Sequence, residues 1–298
     1  MPLVQPHHVI VGHGGNVMGN PGDRPRPTDP LSAPKADDRQ SGIRVGIIDT
    51  GIAQNATSDH ADWFKGRYAP ELDDVDKAYS SGDLFALQGG HGTFVAGVIQ
   101  SAAPGVTFDP EIALDPNGFG DEERLCRKIT ELGRKKIDVL NLSLGCYTED
   151  DVASEPLRLT LQNLPSDIVV VASAGNRGDQ RPSWPAALCG VTGVAALAQN
   201  ADGSIIPACY SSFGHWVNAC AIGNRSSTYL KGEWMLPGEP EVTPFALWAY
   251  WAGTSFSAPW VTGRIAAVMA SDGISAAQAR DKLLADAEFH PGYGVFVK

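Results

Sequence analysis

Short runs of Val, Ile and Leu alternate along the chain with segments whose apolar residues recur every three or four positions. The apolar runs cover residues 43–48, about 106–114, 137–143 and 167–172, and the helical spacings cover about 121–135 and 150–163. Near-continuous β-branched runs of this length are typical of strands buried on both faces of a parallel sheet. The alternation predicts an α/β fold of three layers, with a mostly parallel central sheet flanked by helices.

Two more helices are predicted near the C-terminal end. The segment 260–269 has a buried stripe that includes Val261, Ile265 and Val268, and the segment 275–285 is amphipathic. The first helix follows the sequence Gly-Thr-Ser-Phe-Ser-Ala-Pro at 253–259, whose Gly and Thr form a turn. Ser255 therefore lies where a helix begins. A serine in this place is either an ordinary helix cap or a nucleophile whose own backbone N–H faces an anion.

Three further polar residues lie where predicted elements end or begin. Asp49 follows the strand 43–48, Asn176 follows the strand 167–172, and His91 lies between glycines in the first turn of a helix. Open α/β sheets place their chemistry at the carboxyl ends of strands, and a helix N-terminus favours a neutral imidazole, which is the form a general base needs. Each residue alone has a plainer interpretation, as a turn aspartate, a surface histidine or a turn asparagine.

The composition fits a single large domain and argues against nucleic acid as a partner. The 298 residues are 43% hydrophobic, and 23 basic against 34 acidic residues give a net charge of −11, which repels phosphate backbones. Five cysteines, an odd number with no C-x-x-C pair, favour a reducing compartment with free thiols over a disulfide framework or a zinc site.

The first 41 residues differ from the rest. They are rich in Pro, Gly, Asp and Arg, which predicts an extended or disordered arm at 1–41 before a folded domain at 42–298, although pieces such as 9–11 can lie along that domain. No apolar run reaches the ~18–20 residues of a membrane span, and the start lacks the features of a signal peptide. We therefore expect no membrane association and a cytoplasmic location, with secretion as the alternative if the chain is a processed form.

In chain order the motifs are D-T-G at Asp49, H-G-T at His91, A-G-N at Asn176 and G-T-S-x-S-A-P at Ser255. This ordered set, over residues 42–298, resembles the subtilisin-like serine proteases, the subtilase family. The resemblance implies that Ser255 attacks a peptide carbonyl, His91 transfers the proton and Asp49 orients the imidazole. It also implies that Asn176 and the Ser255 amide stabilise the oxyanion. This chemistry requires no metal or organic cofactor.

The same resemblance implies a substrate-binding groove. Its backbone edge is Ser143-Leu144-Gly145, which pairs with an extended substrate, and Leu144 faces an apolar substrate side chain. One wall of the pocket before the scissile bond is Ser173-Ala174-Gly175. Arg177 has two interpretations: it lies at the floor of that pocket and favours acidic substrates, or it points to solvent beside Asp179.

Two other segments bear on the site. Asp62 resembles a calcium ligand of secreted relatives, but the turn after the His91 helix is short and one carboxylate is not a site, so we predict no tight calcium binding. The segment 220–253 is rich in aromatic residues, which line either the leaving-group side of the cleft or the core.

The sequence thus predicts a serine endopeptidase acting on polypeptide, and suggests a dedicated processing enzyme with a regulatory or substrate-presenting protein partner. The alternative is a catalytically silent or autoinhibited peptide-binding module. In that case the cleft is blocked by the arm, by residues 224–251 or by a partner.

Overall fold

The computed structural model describes residues 6–12, 24–35, 42–68, 75–285 and 288–298. Its helices are α1 (Ala56–Asp59), α2 (Ala61–Phe64), α3 (His91–Ala102), α4 (Glu122–Arg134), α5 (Glu155–Gln162), α6 (Thr254–Asp272) and α7 (Ala276–Ala285). Its strands up to residue 145 are β1 (Val9–Gly12), β2 (Arg26–Pro27), β3 (Arg44–Asp49), β4 (Tyr79–Ser81), β5 (Leu84–Phe85), β6 (Thr107–Ile112), β7 (Phe119–Asp121), β8 (Val139–Leu142) and β9 (Leu144–Gly145). The later strands are β10 (Val169–Ser173), β11 (Val191–Gln199), β12 (Ile205–Pro207), β13 (Ala219–Ile222), β14 (Asn224–Met235), β15 (Val242–Ala252), β16 (Phe289–His290) and β17 (Gly294–Phe296).

A nine-stranded sheet forms the middle layer. Its order is β16-β17-β13-β11-β10-β8-β3-β6, with β12 paired to β11 outside this path. The strands from β17 to β6 are parallel, while β16 and β12 add antiparallel pairs at β17 and β11. The predicted parallel sheet is confirmed, and parallel order brings the carboxyl ends of β3, β8 and β10 to one edge.

Helices cover both faces of this sheet. One apolar cluster joins α3 and α6 to one face and includes Phe94, Ile99, Val261 and Ile265. The other joins α4 and α5 to the opposite face and includes Leu125, Ile129 and Leu157. The apolar runs of the strands are buried between the two clusters, which is the three-layer arrangement expected from the sequence.

The starts of two helices differ from the predicted ones. Helix α5 begins at Glu155 instead of near 150, because Ser154 caps it by accepting a hydrogen bond from the Leu157 N–H. Helix α6 begins at Thr254, so Thr254 belongs to its first turn and not to the preceding turn as predicted. No helix among the described residues is both long and apolar enough to cross a membrane.

The aromatic segment before Ser255 forms a long antiparallel hairpin of β14 and β15. Tyr229, Trp234, Phe245 and Trp251 are buried in it, while Trp248 and Tyr250 are half-buried. The interpretation of these residues as mostly core is therefore the correct one. The hairpin belongs to a second sheet of order β2-β15-β14-β5-β4.

Two parts of the first 41 residues join the fold as strands. Strand β2 pairs with β15 in the second sheet, and β1 lies in the middle of a small third sheet of order β7-β1-β9. The prediction for 1–5, 13–23 and 36–41 falls outside the described residues. The strands β1 and β2 are extended, and they cover the backbone edges of β9 and β15 with which they pair.

Candidate active site

Asp49 and His91 form a buried hydrogen-bonded pair at the carboxyl edge of the central sheet. Asp49 is the last residue of β3, and its Oδ1 accepts hydrogen bonds from His91 Nδ1 at 2.7 Å and from the Thr50 N–H at 2.8 Å. Among the described residues, His91 Nε2 is buried and makes no hydrogen bond. The pair therefore holds the imidazole by one nitrogen and leaves the other available for proton transfer.

The position of His91 depends on a close approach between α3 and the turn after β3. A Cβ added at Gly92 would lie 2.1 Å from the Gly51 carbonyl oxygen, so no residue with a side chain fits there without moving backbone. The imidazole ring packs edge-on against Trp251 and at a tilt of 47° against Phe256, each with a centroid distance of 5.5 Å. These rings fix the plane of the imidazole.

Asp76 is hydrogen-bonded to Thr50 and Gly90, the chain neighbours of Asp49 and His91, and was not among the predicted site residues. Its Oδ2 accepts hydrogen bonds from Thr50 Oγ1 at 3.0 Å and from the Gly90 N–H at 2.8 Å, while Thr50 Oγ1 accepts from the Gly92 N–H at 3.1 Å. Burial raises the pKa of Asp76 to about 8, with a smaller contribution from the nearby Asp49. Asp76 comes from a polar stretch with several acidic residues, so the sequence carries no signal for it.

Ser255 is the second residue of α6 and is fully buried, as are Asp49, His91 and Asn176. Its hydroxyl donates to the Ser143 carbonyl oxygen at 3.1 Å, and the Ser143 hydroxyl donates to the Ser255 carbonyl oxygen at 2.9 Å. A buried hydroxyl needs an acceptor, and Ser143 supplies it in this conformation. The Ser255 hydroxyl makes no hydrogen bond to His91 Nε2 in this conformation.

Asn176 is oriented by Thr254. Its Oδ1 accepts hydrogen bonds from the Thr254 N–H at 2.9 Å and from Thr254 Oγ1 at 2.8 Å, and Thr254 Oγ1 accepts from the Gly175 N–H at 3.1 Å. Because the carbonyl end of the amide is held by Thr254, its orientation is set by the first turn of the Ser255 helix. Thr254 is thus a positioning residue that sequence analysis treated only as part of a turn.

The predicted groove residues lie beside these four. Ser143 is bonded to Ser255, and Leu144 and Gly145 form β9, whose backbone pairs with the chain's own strand β1. Ser173 ends β10, and Ala174 and Gly175 follow it; both Ser173 and Ala174 are fully buried. Gly175 has φ +98°, and a Cβ there would meet the Tyr147 hydroxyl at 2.4 Å. The Tyr147 hydroxyl therefore packs directly against the predicted wall at Gly175.

Arg177 lies at the surface. Its side chain is 48% exposed, its Nε is 3.4 Å from Asp179 Oδ2, and its guanidinium lies over the Tyr147 ring. This is the second of the two interpretations, in which Arg177 points to solvent beside Asp179. A preference for acidic substrates has no support from this conformation.

Asp62 is exposed on the short helix α2. Among the described residues, no group of three or more His, Cys, Asp or Glu is placed to hold a metal ion. Weak or absent calcium binding stays a prediction. All five cysteines are free.

Comparison with known proteins identifies relatives for most of the chain. Residues 40–294 match the family model described as the Subtilase family, Peptidase S8. The chain is 29% identical over 280 residues to thermitase of Thermoactinomyces vulgaris, covering 89% of each protein. It is 31% identical over 217 residues to the minor extracellular protease Epr of Bacillus subtilis (strain 168), covering 68% of this chain but 30% of Epr.

A solved structure agrees with these sequence relatives. Fervidolysin from Fervidobacterium pennivorans, described as a keratinolytic enzyme related to subtilisin, superimposes with a TM-score of 0.68 at 25% identity. The match covers 88% of this chain and 42% of fervidolysin. The sheet, the buried Asp49–His91 pair and the helix that begins at Thr254 thus occur in a chain whose relatives are proteases. The chain belongs to the subtilase family of serine endopeptidases.

Proposed function

We propose that this endopeptidase cuts polypeptides through a triad of Asp49, His91 and Ser255, with Asn176 as an oxyanion donor. The observation that carries the proposal is the buried His91–Asp49 hydrogen bond of 2.7 Å, which leaves the opposite nitrogen of His91 without a partner among the described residues. An imidazole held in this way has the orientation and the free nitrogen that a general base needs.

The reaction begins when the Ser255 hydroxyl leaves the Ser143 carbonyl and turns to His91 Nε2. Ser255 Oγ then attacks the substrate carbonyl carbon while His91 takes its proton, and Asp49 stabilises the imidazolium that forms. His91 returns this proton to the leaving amine. Water, activated by the same His91, hydrolyses the acyl-enzyme and regenerates Ser255.

Two donors serve the oxyanion in this mechanism. One is the Ser255 N–H in the first turn of α6, where backbone amides have no partner within the helix. The other is the side-chain nitrogen of Asn176, because Thr254 already occupies its oxygen. Donors fixed before the reaction stabilise developing charge without reorganising.

We further propose that the enzyme is a processing protease with a restricted set of substrates. The complete burial of Ser255 supports this proposal, since a protease that degrades proteins broadly needs an open cleft. The test is digestion of unfolded casein beside a randomised peptide library; rapid cleavage of casein at many sites contradicts the proposal. A partner that regulates the site or presents substrate stays a prediction.

Labelling with a fluorophosphonate probe tests the triad. We expect wild-type protein to be labelled, Ser255→Ala to be unlabelled and Ser257→Ala, a buried serine two residues further along the same helix, to be labelled. His91→Ala should lower kcat for a peptide substrate by roughly 10⁴-fold or more. If neither the wild type nor a variant lacking residues 1–41 is labelled, the protein is a peptide-binding module and the proposal is wrong.

A further inference from the structure

We propose that the side chain of Tyr147 fills the pocket for the substrate residue before the scissile bond, so that the enzyme cleaves after glycine, alanine or serine and not after larger residues. The inference rests on the function proposed above and names the class of its substrate. It is carried by the place of the Tyr147 hydroxyl, which packs against Gly175, the residue before the proposed oxyanion donor Asn176.

The proposed mechanism fixes where this pocket must lie. The scissile carbonyl oxygen accepts from the Asn176 side chain and from the Ser255 N–H, so the substrate residue that carries it lies beside Gly175. The substrate backbone before this residue extends along β9, the expected edge for strand addition. Strand β9 follows β8 in the chain, and β8 pairs in parallel with β10. The pocket is therefore the space between β9 and the turn after β10.

Tyr147 occupies this space. It comes shortly after the end of β9 at Gly145, and its hydroxyl lies so close to Gly175 that a Cβ added there would meet it at 2.4 Å. The hydroxyl also forms a hydrogen bond of 3.2 Å with Ser212 Oγ, and the Ser212 N–H donates to the Gly175 carbonyl at 2.8 Å. The phenol ring thus reaches from the β9 side of the pocket to the turn after β10. A substrate side chain larger than that of serine has no room beside Gly175.

Neighbouring cations and backbone pairing hold the Tyr147 ring in this place. The guanidinium of Arg177 lies over the ring at 5.0 Å from its centroid, and that of Arg181 lies at 5.9 Å. The chain neighbour Cys146 exchanges two backbone hydrogen bonds with Trp184, of 2.8 and 2.9 Å. A cation over an aromatic ring is attracted to it, and the paired backbone restricts movement of the segment. A large substrate residue must therefore break these contacts to enter the pocket.

Kinetics on two fluorogenic peptides test the proposal, one with alanine and one with phenylalanine before the scissile bond. For the wild type we expect kcat/KM to be at least about 100-fold higher for the alanine peptide, because a packed pocket tolerates added volume poorly. Tyr147→Ala opens the pocket and should raise kcat/KM for the phenylalanine peptide by at least about tenfold. The control Tyr68→Ala removes another half-buried tyrosine, which packs on Phe64, and should leave the ratio of the two kcat/KM values unchanged.

Two more substitutions separate the size of the side chain from its hydrogen bond and from a loss of folding. Tyr147→Phe removes the hydrogen bond to Ser212 but keeps the ring, so it should still favour the alanine peptide. Tyr147→Leu keeps an apolar but shorter side chain and provides a second way of opening the pocket if Tyr147→Ala does not fold.

A binding measurement without turnover separates this inference from the proposed function. In a Ser255→Ala background, fluorescence anisotropy with labelled forms of the two peptides should give a Kd at least about tenfold lower for the alanine peptide. Adding Tyr147→Ala to this background should remove the difference between the two Kd values.

The outcomes have distinct meanings. Selective binding that Tyr147→Ala removes, without hydrolysis by any variant that retains Ser255, supports the inference and contradicts the catalytic proposal. Equal kcat/KM for both peptides in the wild type shows that Tyr147 does not fill the pocket and overturns the inference. A preference for alanine that persists unchanged in Tyr147→Ala and Tyr147→Leu overturns it as well.

Discussion

At the scale of single residues, Thr254 connects the start of α6 to Asn176, the proposed oxyanion donor. Its backbone and hydroxyl groups both donate to Asn176 Oδ1, and its hydroxyl also accepts the Gly175 N–H. One side chain therefore joins two backbone segments, the turn after β10 and the start of α6. Loss of the hydroxyl leaves Asn176 held by the Thr254 N–H and leaves the Gly175 N–H without this acceptor.

We predict that Thr254→Val lowers kcat for a peptide substrate by roughly tenfold or more with little change in KM. The reason is that an oxyanion donor acts mainly in the transition state, and a loosened Asn176 stabilises it less. Thr254→Ser keeps the hydroxyl and should retain most of the activity. Equal kcat for Thr254→Val and wild type would show that Asn176 does not depend on this side chain.

At the scale of elements, the contact between α3 and the end of β3 sets the geometry of the Asp49–His91 pair. The contact needs glycine at position 92, and Asp76 reinforces it by bonding Thr50 on one side and the Gly90 N–H on the other. The helix also receives two hydroxyl hydrogen bonds from β14, from Ser227 to the Phe94 carbonyl and from Thr228 to the Thr93 carbonyl. The helix is therefore fixed between the central sheet and the hairpin.

Gly92→Ala is predicted to move the first turn of α3 away from Gly51. Overpacking of this kind costs about 1–3 kcal/mol of unfolding free energy, and a displacement of about 1 Å at His91 lowers kcat by about 100-fold. Chemical denaturation and peptide kinetics measure the two effects. The control is Gly42→Ala, where an added Cβ has no neighbour within 4 Å; the prediction is wrong if both variants behave alike.

The elements were predictable to different degrees. The parallel strands could be identified because burial on both faces requires continuous apolar runs. The helices that cover them could be identified because burial on one face requires apolar residues every three or four positions. The hairpin of β14 and β15 was missed as an element, since its burial alternates irregularly and shifts register between Thr228 and Lys231. Strand β1 has four residues, too few for a periodic signal.

At the scale of the whole molecule, Asp76 links the stability of the fold to pH. Its carboxyl is buried, and its pKa is raised from 3.8 to about 8, so the folded chain holds a proton that the unfolded chain releases across this range. The unfolding free energy therefore falls as pH rises between about 4 and 8, by up to about 1.4 kcal/mol per pH unit. Above about pH 8 the carboxyl is ionised in both states, and the unfolding free energy no longer changes with pH through Asp76.

Asp76→Asn keeps an oxygen that can accept from Thr50 and Gly90 but cannot ionise. We predict that the unfolding free energy of the variant, relative to wild type, increases as pH rises from about 4 to 8 and then levels off. Denaturant titrations at a series of pH values measure the difference. A constant difference across this range contradicts the prediction.

Asp202→Asn provides a control of opposite sign. Hydrogen bonds from Ser204 lower the pKa of Asp202, so the unfolding free energy of the wild type increases as pH rises through the acidic range. The variant lacks this increase, so its unfolding free energy relative to wild type decreases over the same range. The two variants should therefore diverge from wild type in opposite directions.

The sequence by itself determined the fold class, the family and the identity of the candidate site residues, because these follow from local signals. Apolar runs specify buried strands, and Asp49, His91, Asn176 and Ser255 each stand beside small residues at the end of a strand or the start of a helix. Family membership and fold are confirmed, while the catalytic roles of these four residues stay predictions.

Only the tertiary structure decided which residues outside the motifs form hydrogen bonds to the candidate site and which strands pack beside it. The raised pKa of Asp76, the hold of Thr254 on Asn176 and the hydrogen bond between Ser255 and Ser143 all depend on segments far apart in the chain. The same is true of β1, whose pairing with β7 and β9 joins the first residues to positions more than a hundred further along. Burial and long-range pairing are properties of the packed chain, and no local pattern encodes them.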